Sequence, residues 1–269
     1  MRAACCEATV LRHEVIAEDI RLLTVLWPDR EHIPHAGQFF TLRAWGADEA
    51  PFLSRPISVH KWDAETQTVE FLYAVVGEGT RKLTALMPGD SFQLTGPMGN
   101  GFDTADLLSR YKKIAVVGGG IGTAPMYQLT RELAAGGVKP DVFFGFRDTP
   151  YCMEDTAPLQ TASRCLRIPA RWASTALSPS CTTRQTMTWC WSAAPTVMMR
   201  NAARSARRRA PPCFVSLEKK MACGIGACLG CTCETRSGEG RAYARMALCL
   251  MQRRCSDGRS ENEPAGASP

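Results

Sequence analysis

Apolar and polar residues alternate in short runs through residues 8 to 100, most clearly in Gln38-Phe39-Phe40-Thr41-Leu42-Arg43, Thr68-Val69-Glu70-Phe71-Leu72-Tyr73 and Ser91-Phe92-Gln93-Leu94. A period of two gives each run one face for a core and one for water, the pattern of strands, and turn residues such as Pro88-Gly89-Asp90 separate them. Strands at this spacing predict a small barrel. The pattern then changes. Ile114-Ala115-Val116-Val117 is a continuous apolar run, as expected of a strand buried on both faces, and Met126 to Ala135 follow at helical spacing after a glycine cluster. Asp141-Val142-Phe143-Phe144-Gly145-Phe146 reads as the next parallel strand, so the unit is βαβ and the second half an α/β fold of the nucleotide-binding kind. From Thr161 to about Ala194 the pattern is lost, and from Cys213 onward the chain is glycine-rich and full of cysteine.

Composition agrees with this division. The chain has 269 residues, 45% hydrophobic and 22% charged, enough for two domains with their own cores and too balanced for a disordered or fibrous protein. No run approaches the ~20 apolar residues that cross a bilayer, and the start lacks the apolar stretch of a signal peptide, so a cytoplasmic location without a membrane partner is expected. The net charge of +6 owes much to the run from Arg200 to Arg209, which has no interleaved aromatics to stack on bases, so nucleic acid is not an expected partner. Thirteen cysteines in an intracellular chain of this length point to metal or redox chemistry.

Three motifs carry that chemistry. Cys223-Gly224-Ile225-Gly226-Ala227-Cys228-Leu229-Gly230-Cys231 has the C-x4-C-x2-C spacing by which plant-type ferredoxin loops hold three thiolates of a [2Fe–2S] cluster. Small residues let such a loop wrap the cluster and aim N–H groups at its sulfurs. The alternatives are buried thiols or a zinc site, which lacks the x4 arm. Cys233 follows Cys231 too closely to share its iron, and the only later cysteines are Cys249 and Cys255. Second, Arg55-Pro56-Ile57-Ser58 ends a barrel strand, with Phe71-Leu72-Tyr73 and Gly77-Glu78-Gly79-Thr80 downstream. An arginine can clamp a pyrophosphate, and a serine hydroxyl can bond a flavin ring nitrogen, although the same four residues also occur in ordinary turns. Third, Gly118-Gly119-Gly120-Ile121-Gly122-Thr123-Ala124-Pro125 lies between a strand and a helix, where glycines allow backbone amides to approach a pyrophosphate; a plain turn is the alternative.

Together the three motifs resemble the ferredoxin reductase-like flavoproteins, most closely the electron-transfer subunits of NAD-dependent (class B) dihydroorotate dehydrogenase. Ala194-Pro195-Thr196-Val197-Met198-Met199 and Ser216-Leu217-Glu218-Lys219-Lys220-Met221-Ala222 extend the likeness. The resemblance implies a β + α/β architecture: an FAD-binding β-barrel over 1–103, a Rossmann-like NAD-binding α/β domain over 104–212 and a small C-terminal [2Fe–2S] domain over 213–269. It implies an oxidoreductase of pyrimidine biosynthesis that passes electrons from a dihydroorotate-oxidising flavoprotein subunit through the cluster and FAD to NAD. Arg55, Pro56, Ile57, Ser58, Leu72, Tyr73, Ala74, Gly79 and Thr80 would line the FAD site, and Gly118, Gly119, Gly120 and Gly122 the NAD site. Cys223, Cys228 and Cys231 would bind the cluster, with Cys249 the candidate for its fourth ligand. Two alternatives stay open: a related reductase subunit, of ferredoxin–NADP or hydrogenase type, and an inactive remnant.

The likeness breaks where the family expects a cysteine just before Asp-Gly-Pro-Val-Phe, since this chain reads Ala242-Tyr243-Ala244-Arg245-Met246-Ala247-Leu248-Cys249-Leu250. Moving the reading frame back one base forces Gly from Met246-Ala247 and Ala from Met251-Gln252, and it permits Cys-x-Asp-Gly-Pro-Val-Phe across the segment. The same shift forces Gly from Trp172-Ala173, Asp from Met187-Thr188 and Val from Trp189-Cys190. About residues 161–194 and everything after about 240 therefore read as out-of-frame translation, the alternative being a divergent segment. On that reading the chain as written lacks a central strand of its nucleotide domain and its fourth cluster thiolate.

Overall fold

The computed structural model describes residues 3–146 and 149–160 and, beyond them, backbone strands at 162–167, 188–191, 213–215, 232–234, 240–242 and 249–251. The alternating segments form β1 (Ala4–Ala17), β2 (Ile20–Leu26), β3 (Phe39–Arg43), β4 (Arg55–Ser58), β5 (Lys61–Asp63), β6 (Thr68–Ala74) and β7 (Ser91–Met98), an antiparallel sheet in the order β4-β3-β7-β1-β2-β6-β5. β1 is long enough to pair with β7 through its first half and with β2 through its second. The end strands β4 and β5 are consecutive in the chain, and the two residues between them bring the sheet's ends together. The Val59 N–H donates to the Gln38 carbonyl beside β3, and the His60 N–H donates to the Glu70 carbonyl on β6.

Inside this curled sheet lie Trp27, Phe40, Leu42, Phe71, Tyr73 and Leu94, all buried. The Phe40 ring meets Trp27 edge-on at 5.0 Å and Phe71 at 5.6 Å, contacts worth about 0.5–1.5 kcal/mol each beyond the burial itself. Gly96 is packed against Phe40 so closely that a Cβ there would collide with the ring. Helix α1 (Glu78–Leu83) crosses between β6 and β7 and buries Leu83 in the same core.

After α2 (Thr104–Arg110) the chain enters the second sheet: β8 (Ile114–Gly119), the 3₁₀ turn Gly120–Thr123, α3 (Ala124–Ala135) and β9 (Asp141–Phe146). This is the expected strand, turn and helix, and β8 pairs with β9 in parallel. α3 lays Met126, Leu129 and Leu133 over Ile114, Val116, Val142 and Phe144. Pro125 sits in its first turn, where a missing N–H costs nothing. A short 3₁₀ turn at Ala157–Leu159 follows β9.

The sheet continues with β10 (Ala162–Arg167) beside β9, β11 (Thr188–Trp191) beside β8, and β12 (Cys213–Val215) beside β11. β13 (Thr232–Glu234) and β14 (Gly240–Ala242) form a hairpin, and β15 (Cys249–Met251) closes the large sheet antiparallel to β12, in the order β10-β9-β8-β11-β12-β15. This departs from the sequence expectation. Thr188–Trp191 occupies the central position that the chain as written was expected to leave empty. The physical reason is that threonine and tryptophan are residues with a preference for strand, so the residues as written still form one. β12 and β15 belong to this sheet although they flank the cysteine loop in sequence. Among the described residues no helix is long and apolar enough to cross a membrane.

Candidate functional site

The motif Arg55-Pro56-Ile57-Ser58 is strand β4 itself, at one end of the sheet and paired with β3 alone. All four residues are half-buried, and Pro56 is tolerated because an edge strand has one side free of ladder bonds. The Arg55 side chain runs over α1. A Cβ on Gly79 would stand 2.7 Å from Arg55 Cδ and 3.2 Å from Pro51 Cγ, so only glycine fits under it. Arg55 Nε is buried and has no hydrogen-bond partner. A buried guanidinium N–H without an acceptor is costly, and an anion laid across Gly79 would supply one. The Gly79 and Thr80 amides belong to the first turn of α1, where N–H groups have no intrahelical acceptor.

Thr80 and Tyr73 occupy this neighbourhood differently from the sequence expectation. The Thr80 hydroxyl accepts the N–H groups of Val76 and Gly77, both at 3.0 Å, and donates to the Gly77 carbonyl. Its side chain therefore shapes the turn and has nothing left for a ligand. Tyr73 turns into the barrel, 1% exposed, with its hydroxyl 3.0 Å from His13 Nε2. Burial there raises the phenol's pKa. The strand's alternation puts Leu72, also buried, and Ala74, half-buried, on the opposite face.

The glycine cluster closes β8 and opens α3. Gly118 cannot carry a side chain, since its Cβ would lie 2.9 Å from Thr123 Cα. Gly120 has φ +56° and open space where a Cβ would stand, leaving its backbone bare to an incoming group. Thr123 donates its hydroxyl to the Gly120 carbonyl at 2.9 Å and holds the turn.

Both cradles belong to elements joined across the two sheets. His60, two residues beyond Ser58, sends Nδ1 to the Ala124 carbonyl at 2.7 Å, and its ring stacks on Tyr127 with centroids 5.0 Å apart. Farther along α3, Gln128 Oε1 accepts the Trp62 N–H at 2.9 Å and Arg131 donates to the Trp62 carbonyl at 2.7 Å, so the open edge of β5 is covered by side chains of the helix. Glu132 Oε1 accepts from the Ala36 N–H and from Gln128 Nε2. Burial lowers the His60 pKa and keeps the ring neutral. Sequence reasoning missed His60, Gln128, Arg131 and Glu132. The only local sign was a polar row on an otherwise apolar helix, which does not say what it faces.

Cys152 lies past β9 with φ +54°, half-buried; burial, then Asp155 and Glu70, push its thiol up to about 11 from an ordinary 9.0. At pH 8.5 it should hold roughly a hundredfold less thiolate than an ordinary cysteine, since each pKa unit is tenfold. Peptide mass spectrometry after iodoacetamide treatment is expected to find exposed Cys5 alkylated well before Cys152, with the Cys152 rate still climbing above pH 9. Equal labelling at pH 8.5 would contradict this environment.

Cys223, Cys228 and Cys231 lie outside the described residues, as does the basic run at 200–209. The hairpin β13–β14 begins directly after Cys231, and Cys249 stands on β15 in register with Val215. As a donor set, three closely spaced thiols suit a [2Fe–2S] cluster, which needs a fourth.

A barrel carrying Arg55 over a glycine turn, followed by an α/β sheet with its own glycine turn, defines the ferredoxin reductase-like class of FAD- and nicotinamide-nucleotide-binding proteins. Solved structures agree on the fold. An NADH-dependent reduced ferredoxin–NADP oxidoreductase superposes with a TM-score of 0.75 at 21% identity, covering 90% of this chain and 87% of that one. The ferredoxin–NADP+ reductase of Plasmodium falciparum superposes with a TM-score of 0.60 at 10% identity, covering 75% and 88%. The family model for the iron–sulfur cluster binding domain of dihydroorotate dehydrogenase B matches residues 218–258, so the departure at the fourth cysteine lies within the matched span. The electron transfer subunit of dihydroorotate dehydrogenase B (NAD(+)) from Clostridium acetobutylicum is 38% identical over 209 residues, 77% of this chain and 80% of that protein. The subunit of the same name from Caldanaerobacter subterraneus is 32% identical over 245 residues, 89% and 92%. The chain belongs to the family of dihydroorotate dehydrogenase B (NAD(+)) electron transfer subunits.

Proposed function

We propose that this chain, with its reading frame restored after about codon 240, takes electrons from a separate dihydroorotate-oxidising flavoprotein subunit and delivers them to NAD by way of a [2Fe–2S] cluster and FAD. Bound together, the cluster passes single electrons and the flavin pairs them into a hydride. The observation that carries the reading is the buried, unpartnered Arg55 Nε above Gly79. Arg55, with the Gly79 and Thr80 amides, holds the pyrophosphate of FAD, and Pro56, Ile57 and Ser58 border the flavin ring with Leu72 and Ala74 behind. Tyr73 contributes its backbone. Gly118 keeps the strand close to the following turn, and Gly119, Gly120 and Gly122 present backbone to the pyrophosphate of NAD. Cys223, Cys228 and Cys231 would hold the cluster on the segment that follows β12, with the barrel ending near 103. The shifted frame over about 161–194 and after about 240 is part of the same proposal.

The test is rapid mixing of the flavin-loaded chain with NADH. The unmodified protein is expected to lose its flavin absorbance. Gly120→Val is expected to abolish the loss, because the side chain fills the open space at a left-handed position that valine resists by about 1–2 kcal/mol. Normal reduction in the valine variant would place the nucleotide elsewhere. Co-purification with a dihydroorotate-oxidising flavoprotein separates this reading from a ferredoxin–NADP type of reductase.

A further inference from the structure

We propose that His60 is a positioning residue for hydride transfer, a strut that sets the distance between the flavin strand and the nicotinamide turn; the inference rests on the functional reading above. The chain leaves β4, and with it the flavin edge, at Ser58 and reaches His60 two residues later. There the His60 N–H is taken by Glu70 on β6, so the residue is held at the seam that closes the barrel. Its imidazole crosses to α3. Nδ1 carries the proton, because its partner, the Ala124 carbonyl at 2.7 Å, can only accept. Ala124 is the residue that follows the Gly120–Thr123 turn. The ring then lies on Tyr127, one helical turn farther on, at an interplanar angle of 26°.

The other described hydrogen bonds between α3 and the barrel side involve Gln128, Arg131 and Glu132, and these hold the body of the helix. His60 alone among them grips the end that carries the glycine turn. That placement matters because hydride transfer requires the reacting atoms at about 3–3.5 Å, and an error near 1 Å can cost on the order of a hundredfold in rate. A buried histidine with a single directed donor suits a fixed strut, since solvent does not compete for the ring at 3% exposure.

Two variants separate positioning from simple packing. His60→Leu keeps the volume and removes the donor; His60→Asn puts an amide N–H near the place of Nδ1. Flavin content, NADH affinity and the limiting rate of flavin reduction at saturating NADH are measured on the full chain. His60→Leu is expected to keep its flavin and its NADH affinity while the limiting rate falls by roughly a hundredfold, and His60→Asn to recover most of that rate. A wild-type limiting rate in His60→Leu, or a rate in His60→Asn no better than in His60→Leu, overturns the proposal. If His60→Leu fails to fold, His60→Asn decides alone: a limiting rate within about tenfold of wild type at unchanged flavin content supports the strut, and a larger fall overturns it. If NADH fails to reduce even the unmodified chain, the functional reading is what has failed. The strut is then read by hydrogen exchange: faster exchange confined to amides 120–127 in the variant supports it, and unchanged exchange there overturns it.

Discussion

Restoring the reading frame after about codon 240, so that the chain ends in Cys-x-Asp-Gly-Pro-Val-Phe, is expected to bring it to about two irons, against little or none for the chain as it stands. Cys223, Cys228 and Cys231 share one tight loop, but each iron of a [2Fe–2S] cluster takes two of the four cysteine thiolates. Beyond Cys233, which follows Cys231 too closely, the next thiol of the present chain is Cys249; it belongs to β15, a three-residue strand whose backbone is committed to pairing with β12. A cluster held by three thiolates must still meet the entropy of ordering its loop, about 1–2 kcal/mol per residue, without the full gain from ligation. Iron analysis and low-temperature paramagnetic resonance on both versions measure the difference. A full signal from the present chain that disappears in Cys249→Ser would show Cys249 to be a working ligand, and the frame argument for this tail would then be wrong.

Arg55→Ala is expected to yield protein purified largely without flavin. A charge-assisted hydrogen bond is worth about 1.5–3 kcal/mol, so losing one or two weakens FAD binding by roughly tenfold to roughly twenty-thousandfold. The structure adds a second expectation of opposite sense. Because Arg55 Nε is buried without a partner, removing it takes an unsatisfied donor out of the flavin-free protein, whose thermal midpoint should stay unchanged or rise slightly. Absorbance of bound flavin and thermal unfolding of the flavin-free form measure both. Full flavin retention would count against Arg55 as the clamp, and a large loss of stability in the flavin-free form would make it a structural residue instead.

Much of the architecture was legible in the sequence because it is local. The period-two runs at 38–43, 68–73 and 91–94 became β3, β6 and β7, and the apolar run, glycine cluster and helical spacing from 114 to 135 became β8, its turn and α3. Steric preferences and one-sided burial act over a few residues and therefore leave their mark on the string. The glycines at 118 and 120 were readable for the same reason: one sits where a side chain has no room, and the other at φ +56°.

What tertiary structure decided was the partner of each side chain. The string shows Tyr73 and Thr80 inside a plausible flavin motif, yet Tyr73 points into the barrel toward His13 and the Thr80 hydroxyl is consumed by its own turn. It shows an arginine before a proline, but not that Nε is left buried and unpaired over Gly79. It shows no pattern over 161–194, where pairing partners from β8 and β9 nevertheless draw Ala162–Arg167 and Thr188–Trp191 into one sheet. His60 meets Ala124 across 64 positions of sequence, and no local preference encodes that meeting. Such contacts form only when two cores, each satisfying its own apolar pattern, bring their remaining polar groups face to face, and burial then requires those groups to be paired.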